Sequence, residues 1–380
     1  MSPADAELRA WVTLTLVPGL GPKLTQALLD RFGSAAAAVA ATEAQLLGVD
    51  HVGEKTARQF ADALRTVDPT AELQRAADAG VTIIPRVADA YPKALRTLQD
   101  APPVLYLAGE YKPEDEKAVA IVGSRSCTGY GRKAARQLAG SLARAGYTVV
   151  SGLALGIDSE AHRGALEAGG RTLAVLAGGL SRIYPPEHVG LAQEVRGRGA
   201  LLTEAPMGLP PQRGMFHTRN RLISGLSVAV VVIEANAQSG ALITARHAAE
   251  QGRELFILPA NADSMTSAGS LKLLRDGARL IRDADDLLED LKGLRTPKLP
   301  AVARQPDLFT EAPPPPAPTP EPPTLDGTAK LVWDVLTDPL HVDEICRHLG
   351  KGAAELSGVF LQLEMKKAIR RLPGNVYERR

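Results

Sequence analysis

Five short apolar runs recur along the middle of the chain, and none of them alternates regularly with polar residues. They read AVAIVG (118–123), YTVVSG (147–152), TLAVLAGG (172–179), VAVVVIEA (228–235) and ELFILPA (254–260). Continuous runs of this kind are typical of strands buried on both faces of a parallel sheet. Helical patterns such as GRKAARQLAGSLARAG and GALITARHAAEQG lie between them. The alternation predicts a doubly wound α/β domain over residues 70–295, with ligands at the carboxyl ends of its strands.

The pattern differs before this region, where residues 1–66 are predicted to be all-helical. Two segments, VPGLGPKLTQALLDRFG and GVDHVGEKTARQFADAL, each place a glycine loop directly before a lysine-containing amphipathic helix. They resemble a pair of helix-hairpin-helix units (a SAM-like domain), whose hairpins offer backbone N–H groups to DNA phosphates. Packing against the central domain is the favoured alternative role, because short glycine turns also serve simply to reverse the chain.

The pattern also changes after the central domain, where a proline-rich segment covers residues 296–323. Such a composition predicts an extended spacer. It isolates residues 324–380, where three helical patterns and a terminal PGNVYERR predict a winged helix. The third pattern, LSGVFLQLEMKKAIRRL, predicts a helix with a basic end formed by Lys366, Lys367, Arg370 and Arg371. Contact with duplex DNA and a favourable interaction with the helix dipole both account for these cations.

Composition describes a soluble globular chain of two or three domains rather than a globally basic nucleic-acid binder. The 380 residues are 45% hydrophobic and carry a net charge of +1. Cys127 and Cys346 form no CxxC pair, so the thiols fit a reducing cytoplasm. The polar start predicts no signal peptide, and the run VAVVVI is too short to span a membrane. We therefore expect a cytoplasmic protein with no membrane partner.

The first strand end carries a glycine-rich loop, IVGSRSCTGYG, that leads into a helix. Gly123, Ser124 and Arg125 there would let a phosphate approach the backbone. The G-x-G-x-x-G spacing of a dinucleotide site and the G-K-[ST] of a P-loop are both missing. We therefore expect no nucleotide cofactor.

The next two strand ends add further candidates. After Gly152, Asp158 is a predicted helix N-cap and His162 a structural residue. The third end, AGGLSRIYPPEH, contains Arg182 and Tyr184. Tyr184 is either a platform on which a base stacks or a plug that holds its loop against the core, and the two alternatives are about equal.

The segment FHTRNRLISGLS (216–227) supplies two more arginines. If Thr218 caps this helix, Arg219 and Arg221 lie in its first turn, where the helix dipole disfavours cations. A bound anion would explain them, and so would a salt bridge to Glu204 or Glu234. The last strand end begins another helix at Ser239 and Gly240.

Together, four arginines at one sheet edge favour an extended polyanion over a single small phosphate. These arginines are Arg125, Arg182, Arg219 and Arg221. No paired carboxylates, metal-ligand cluster or nucleophile–base pair is evident in the pattern. We therefore expect a binding protein with no catalytic residues, no metal and no cofactor.

The motifs VGSR, SGLALGIDSEAHRGAL, GGLSRIYPPEH, FHTRNRLISGLS and SGALITARHAAEQGRELFILPA resemble the DNA-processing protein A (DprA/Smf) family over residues 90–282. The resemblance implies an extended Rossmann domain that binds single-stranded DNA without catalysis. It also implies a homodimer through that domain, which protects incoming strands and loads the RecA recombinase during natural transformation. The implied DNA-binding residues are Gly123, Ser124, Arg125, Gly152, Arg182, Tyr184, Phe216, Arg219, Asn220, Arg221, Ser239 and Gly240.

The alternative is a nucleotide-processing enzyme on a similar sheet, of the phosphoribohydrolase type. The P-G-G-x-G-T motif that such enzymes use does not occur in this sequence. We therefore favour the DNA-binding interpretation.

Overall fold

The computed structural model describes residues 3–260, 264, 266–293, 327–336, 340–366, 368–372 and 376–379. The chain forms two compact units, Met1–Val302 and Ala303–Arg380. The predicted proline-rich spacer at 296–323 lies outside the described residues.

The first unit opens with helices, as the sequence predicts for its first 66 residues. Their apolar faces form a common core around Trp11, Leu14, Leu28 and Phe60. Glu7 joins the first helix to the third, because its carboxylate accepts hydrogen bonds from backbone N–H groups at the start of the third helix. The helices are α1 Pro3–Leu16, α2 Pro22–Phe32, α3 Ala35–Val39, α4 Glu43–Leu46, α5 Glu54–Thr66 and α6 Thr70–Asp78.

A mixed sheet follows, and the five predicted strands lie side by side in it as its parallel centre. Within the described residues its strands are β1 Thr82–Pro85, β2 Val104–Gly109, β3 Ala118–Gly123, β4 Thr148–Ser151, β5 Thr172–Val175, β6 Ala200–Thr203, β7 Ala229–Ile233, β8 Glu254–Leu258 and β9 Arg279–Leu280. Their order is β1-β2-β6-β5-β4-β3-β7-β8-β9. Pairing is parallel from β6 to β9, whereas β2 is antiparallel to both neighbours.

Helices cover both faces of this sheet. Leu138, Leu142 and Leu287 cover one face, and Leu222 with Ala245 covers the other. The helices are α7 Lys93–Arg96, α8 Gly129–Arg144, α9 Ile157–Glu167, α10 Val189–Arg198, α11 Arg213–Gly225, α12 Ala241–Glu250, α13 Ala268–Arg275 and α14 Ala284–Gly293, with 3-10 turns at Pro113–Glu116 and Pro186–His188.

The strand order reverses at β3, from which the chain goes to β4 on one side and later to β7 on the other. In open α/β sheets a crevice forms outside the carboxyl ends of the strands at such a switch point. A side chain at Gly123 would collide with the Ile233 carbonyl and would lie 2.6 Å from the Ile157 side chain. Glycine therefore lets the end of β3 approach both β7 and α9.

The second unit is a small α/β fold around Val332, Ile345, Leu356 and Phe360, whose ring stacks on Tyr377 with centroids 4.4 Å apart. Its elements are α15 Thr328–Val335, β10 Leu340–His341, α16 Val342–Leu349, α17 Ala353–Met365, β11 Ile369–Leu372 and β12 Val376–Arg379, with the strand order β10-β12-β11.

Of the predicted basic end of the third helix, Lys366 directly follows the helix as its C-cap, but the two arginines do not belong to it. Helix α17 ends at Met365, so Arg370 and Arg371 belong to strand β11. Arg370 pairs there with Glu378 on β12. Lys367 lies outside the described residues.

Candidate nucleic-acid interface

A cleft of about 580 Å³ lies at the switch point, outside the carboxyl ends of β3 and β4. One face of α11 and the first turn of α12 line the rest of it. The lining residues are Val122, Gly123, Arg125, Ala154, Asp158, Tyr184, Pro211, Arg213, Phe216, His217, Arg219, Asn220, Ile223, Gln238, Ser239, Gly240, Ala241 and Thr244.

Arg125 is the exposed cation at the apex of the loop after β3. The buried Ser124 shapes this loop, because its Oγ accepts a hydrogen bond of 3.1 Å from the Ser126 N–H group. The Arg125 guanidinium lies 5.2 Å from the centroid of the Phe216 ring, within the range of a cation–π contact. The loop therefore holds a positive charge over an aromatic face at the edge of the cleft.

Helix α11 begins earlier than the sequence pattern predicts. Its first residue is Arg213 and its N-cap is Gln212, so the prediction of Thr218 as N-cap is wrong. The Thr218 hydroxyl donates to the Gly214 carbonyl within the helix. Arg219 and Arg221 consequently lie in the middle of α11, where the dipole at its N-terminus does not repel them.

Arg219 is a buried residue of the cleft floor, only 5% exposed. Its Nη1 donates to the Gly152 carbonyl, at 2.8 Å, and to the Val175 carbonyl. Burial lowers its pKa to about 10, and the carboxylate of Asp158 opposes this effect. A side chain at Gly152 would lie 2.6 Å from Nη1. Arg219 therefore ties the carboxyl ends of β4 and β5 together.

Asp158 is the second residue of α9, whose N-cap is Gly156, so the N-cap prediction for Asp158 is wrong. Its carboxylate instead accepts hydrogen bonds from the N–H groups of Gly152, at 3.1 Å, and Ala154, at 3.4 Å. Burial raises its pKa, and nearby Arg219 opposes that shift. Asp158 thus orders the loop between β4 and α9.

Arg221 does not line the cleft, contrary to its predicted place in the site. Its guanidinium forms salt bridges to Glu204, at 2.5 Å, and Asp100, at 3.3 Å. Two residues along a helix correspond to a rotation of about 200°, so Arg219 and Arg221 point to different sides of α11. Of the two carboxylates suggested as partners, Glu234 instead accepts hydrogen bonds from Thr128 at the start of α8.

Two aromatic rings form one wall of the cleft. Tyr184 and Phe216 make an edge-to-face contact with centroids 5.6 Å apart and planes at 61°. Tyr184 is 50% exposed, and its peptide bond to Pro185 is cis. Half of the Tyr184 surface remains open to solvent, so Tyr184 does not act as a buried plug.

The start of α12 also lines the cleft. The Asn220 side-chain amide donates to the Gly240 carbonyl at 3.2 Å, and Ser239 Oγ accepts from the Ala241 N–H group. Asn220 thereby connects α11 to the loop before α12. Arg182 is exposed in the connection after β5 and is not among the lining residues.

Sequence reasoning missed Arg213 and His217, which lie on the cleft face of α11, and Gln238 before α12. Positions 213, 217 and 220 share one face of a helix, because residues three and four apart are neighbours. The preceding Pro210 and Pro211 were the available sign that the helix begins near Arg213.

The charge balance of the cleft is positive, since its described lining includes three arginines and one carboxylate, that of Asp158. Among the residues with described positions, no group of three or more acidic, histidine or cysteine side chains could hold a metal ion. None of the helices seen in this structure is long and apolar enough to cross a bilayer.

Comparison with known proteins identifies the family. A family model described as DNA recombination-mediator protein A matches residues 82–292, more than half of the chain. Protein Smf of Synechocystis sp. is 33% identical over 397 residues, which cover 99% of this chain and all of that protein. The chain belongs to the DprA/Smf family. Further family models match residues 12–66, as a SAM-like helix-hairpin-helix tandem, and 313–375, as the DprA winged helix domain.

Other DprA proteins agree with this assignment. DprA of Bacillus subtilis is 40% identical over 213 residues, covering 56% of this chain and 72% of that protein. The structure of DprA from Streptococcus pneumoniae aligns with a TM-score of 0.65 at 29% identity, covering 76% and 99% of the two chains. A DprA structure from Helicobacter pylori, described for its single-stranded DNA binding mode, aligns with a TM-score of 0.51 at 33% identity over 56% of this chain and 95% of that one. The predicted family and fold class are confirmed.

Proposed function

We propose that the cleft binds single-stranded DNA without base specificity. The observation that carries the proposal is the exposed Arg125 guanidinium beside the rings of Phe216 and Tyr184. A cation that meets phosphates next to aromatic faces that stack on bases is the usual means of binding single strands. The relative from Helicobacter pylori, whose structure concerns single-stranded DNA binding, supports the same ligand.

We expect the exposed residues of the cleft to contact DNA and the buried ones to support them. Arg125 and Arg213 are exposed and would contact phosphates, while Tyr184 and Phe216 would contact bases. The small lining residues Gly123, Ser239 and Gly240 would let the DNA backbone approach, and Arg219 with Asn220 would hold the floor. Arg182 would reach only a strand that extends beyond the cleft, and Arg221 would make no contact. Ser124 and Gly152 are buried and are not among the lining residues, so they would act by shaping the loops after β3 and β4.

At the level of the cell, we infer a recombination mediator rather than an enzyme. It would act in the cytoplasm as a homodimer through the sheet domain, protect incoming single strands and load the RecA recombinase during natural transformation. The description of the matching family as a recombination mediator supports this role. Contact with duplex DNA by the C-terminal unit would involve its β-ribbon, where Arg370 lies.

Fluorescence anisotropy with labelled oligo-dT tests the binding proposal. Wild type and Arg125→Ala are compared at two salt concentrations, with Arg198→Ala as the control because Arg198 is an exposed arginine just before the amino end of β6. Loss of one phosphate contact should weaken binding and reduce the slope of log K against log salt by about 0.7. The control should match wild type. Equal losses in both variants would show that general charge, rather than the cleft, attracts DNA.

Loading of the recombinase requires a separate assay. We expect the protein to accelerate RecA-dependent ATP hydrolysis on strands already coated with a single-strand-binding protein, and Arg125→Ala to abolish the acceleration. Release of free base from nucleoside monophosphates would instead support the phosphoribohydrolase alternative.

A further inference from the structure

Tyr130 is an exposed aromatic residue that the cleft does not include. Aromatic residues make up only 4% of the chain, and Tyr130 is 53% exposed as the second residue of α8. Its hydroxyl donates a hydrogen bond of 3.0 Å to the Pro259 carbonyl, just after β8. The tip of the ring is therefore fixed while much of its surface remains open to solvent.

Tyr130 lies at the same carboxyl edge of the sheet as the cleft. The loop from β3 starts with Arg125 in the cleft, and Thr128 then binds Glu234 directly after β7. Tyr130 follows and is anchored after β8. Since β3, β7 and β8 are neighbours in that order, this anchor lies about two strand spacings, or about 10 Å, along the carboxyl edge from the end of β3.

Two cations follow Tyr130 in α8, and Lys133, three residues on, lies on the same side of the helix as the ring, whereas Arg132, two residues on, points to a different side. Arg132 and Lys133 are both exposed in the first turns of α8. Neither has a carboxylate within 4.0 Å among the described residues, whereas Arg136, one turn further on, pairs with Glu160 and Glu167. The positive charge next to Tyr130 is thus not neutralised by a described ion pair. An anchored aromatic face beside free cations is the combination that binds a base and its phosphates.

We propose that Tyr130 and Lys133 form a second subsite for single-stranded DNA that extends the cleft along the sheet edge. The inference rests on the proposed function of the cleft. A base stacks on the Tyr130 ring, and an adjoining phosphate contacts Lys133, which is three residues further along α8 and therefore on the same side of the helix. A short strand fills the cleft alone, whereas a longer strand also covers α8.

The test uses the full chain and fluorescein-labelled oligo-dT of two lengths, about 6 and about 15 nucleotides, which lie within the site sizes of single-strand binders. The variants are Tyr130→Ala, Tyr130→Phe and Arg125→Ala. Tyr130→Ala should weaken binding of the longer strand about tenfold and change binding of the shorter strand less than about twofold. Tyr130→Phe should weaken binding of the longer strand less than Tyr130→Ala does, because the ring remains but its hydrogen bond to the Pro259 carbonyl is lost. Equal melting temperatures check that the variants are folded.

Two lysine variants, one in the proposed subsite and one away from it, supply a matched control. Lys133→Gln and Lys117→Gln each remove one exposed lysine, but Lys117 directly precedes β3 at the amino edge. Only Lys133→Gln should reduce the salt slope on the longer strand, by about 0.7.

The outcomes separate the two proposals. If Arg125→Ala weakens both lengths and Tyr130→Ala weakens neither, the cleft remains and the second subsite is refuted. Equal weakening of both lengths by Tyr130→Ala would also refute the subsite, since the residue would then act through the cleft. Failure of wild type to bind either length would overturn both proposals.

Discussion

Arg125 and Arg219 both line the cleft, but their surroundings give them different roles. Arg125 is exposed and lies over the Phe216 ring, whereas Arg219 is buried and bonded to the Gly152 and Val175 carbonyls. A guanidinium whose hydrogen bonds go to carbonyls positions the backbone. An exposed one is available to a phosphate. The two residues should therefore respond differently to removal.

Arg219→Ala should lower the free energy of unfolding by about 3 kcal/mol, because it leaves the buried Asp158 without its neighbouring cation and two carbonyls without a donor. Arg125→Ala should change it by less than about 0.5 kcal/mol, as is usual for an exposed residue. Urea denaturation followed by circular dichroism measures both. A fully stable Arg219→Ala would contradict the positioning role.

His162 gives the stability of the fold a dependence on pH. Its Nδ1 lies 2.7 Å from the Thr172 hydroxyl, which itself donates to the Val149 carbonyl, so Nδ1 carries the proton. Burial, together with His188, Arg219 and Arg163, lowers the pKa of His162 from 6.5 to about 3. Below pH 6.5 the unfolded chain therefore binds a proton that the folded chain does not.

The protein should consequently lose stability as the pH falls from 6.5 towards 3. At pH 5 the contribution of His162 should be a loss of about 2 kcal/mol relative to neutral pH. His162→Gln should remove this part of the dependence. Denaturant midpoints at several pH values measure it, and identical profiles for the variant and wild type would show that another group is responsible.

At the scale of the elements, some helices and strands could be predicted from local sequence patterns, and others depend on contacts between distant residues. Strands β3, β4, β5, β7 and β8 were predictable because each is a continuous apolar run. The start of α11 was missed by several residues, because its first turns contain few apolar positions. The pairing of Arg221 with Asp100 joins residues far apart in sequence, which no local pattern encodes. The antiparallel position of β2 likewise depends on the whole sheet.

Helices α8 and α9 offer a test of close packing between elements. A side chain at Gly164 would collide with the Arg136 carbonyl oxygen and would lie 2.8 Å from its carbonyl carbon. Gly164→Ala should therefore lower the free energy of unfolding by about 1–3 kcal/mol. Gly197 in α10 has no atom near an added Cβ, so Gly197→Ala should raise stability by up to about 1 kcal/mol. Thermal melts compare the two, and equal effects would contradict the packing argument.

At the scale of the whole molecule, each of the two units has a hydrophobic core of its own. Trp11 and Phe256 belong to cores of the first unit, and Phe360 belongs to that of the second. The family models match these parts separately. The sequence-based boundary at residues 296–323 stays a prediction; it rests on proline-rich composition, which can be recognised without knowledge of any contact.

A chain that ends after Gly293 should fold and bind oligo-dT with the same affinity as the full chain, since every cleft residue lies before that point. Calorimetry should give the same melting temperature for the transition of the first unit in both chains. Anisotropy measures the affinity. Weaker binding by the shortened chain would assign part of the single-strand contact to the C-terminal unit.

The bonds from Arg219 to the ends of β4 and β5 have a kinetic consequence. They fix the cleft floor when the chain folds, so an arriving strand does not have to order it. On binding, conformational entropy would then be lost by the exposed side chains and by the DNA, but not by the cleft floor. If the cleft binds DNA as proposed, association should therefore be limited by diffusion and electrostatic attraction rather than by ordering of this floor. Variants of the exposed cleft residues, such as Arg125, should therefore differ in affinity chiefly through the rate at which the strand dissociates.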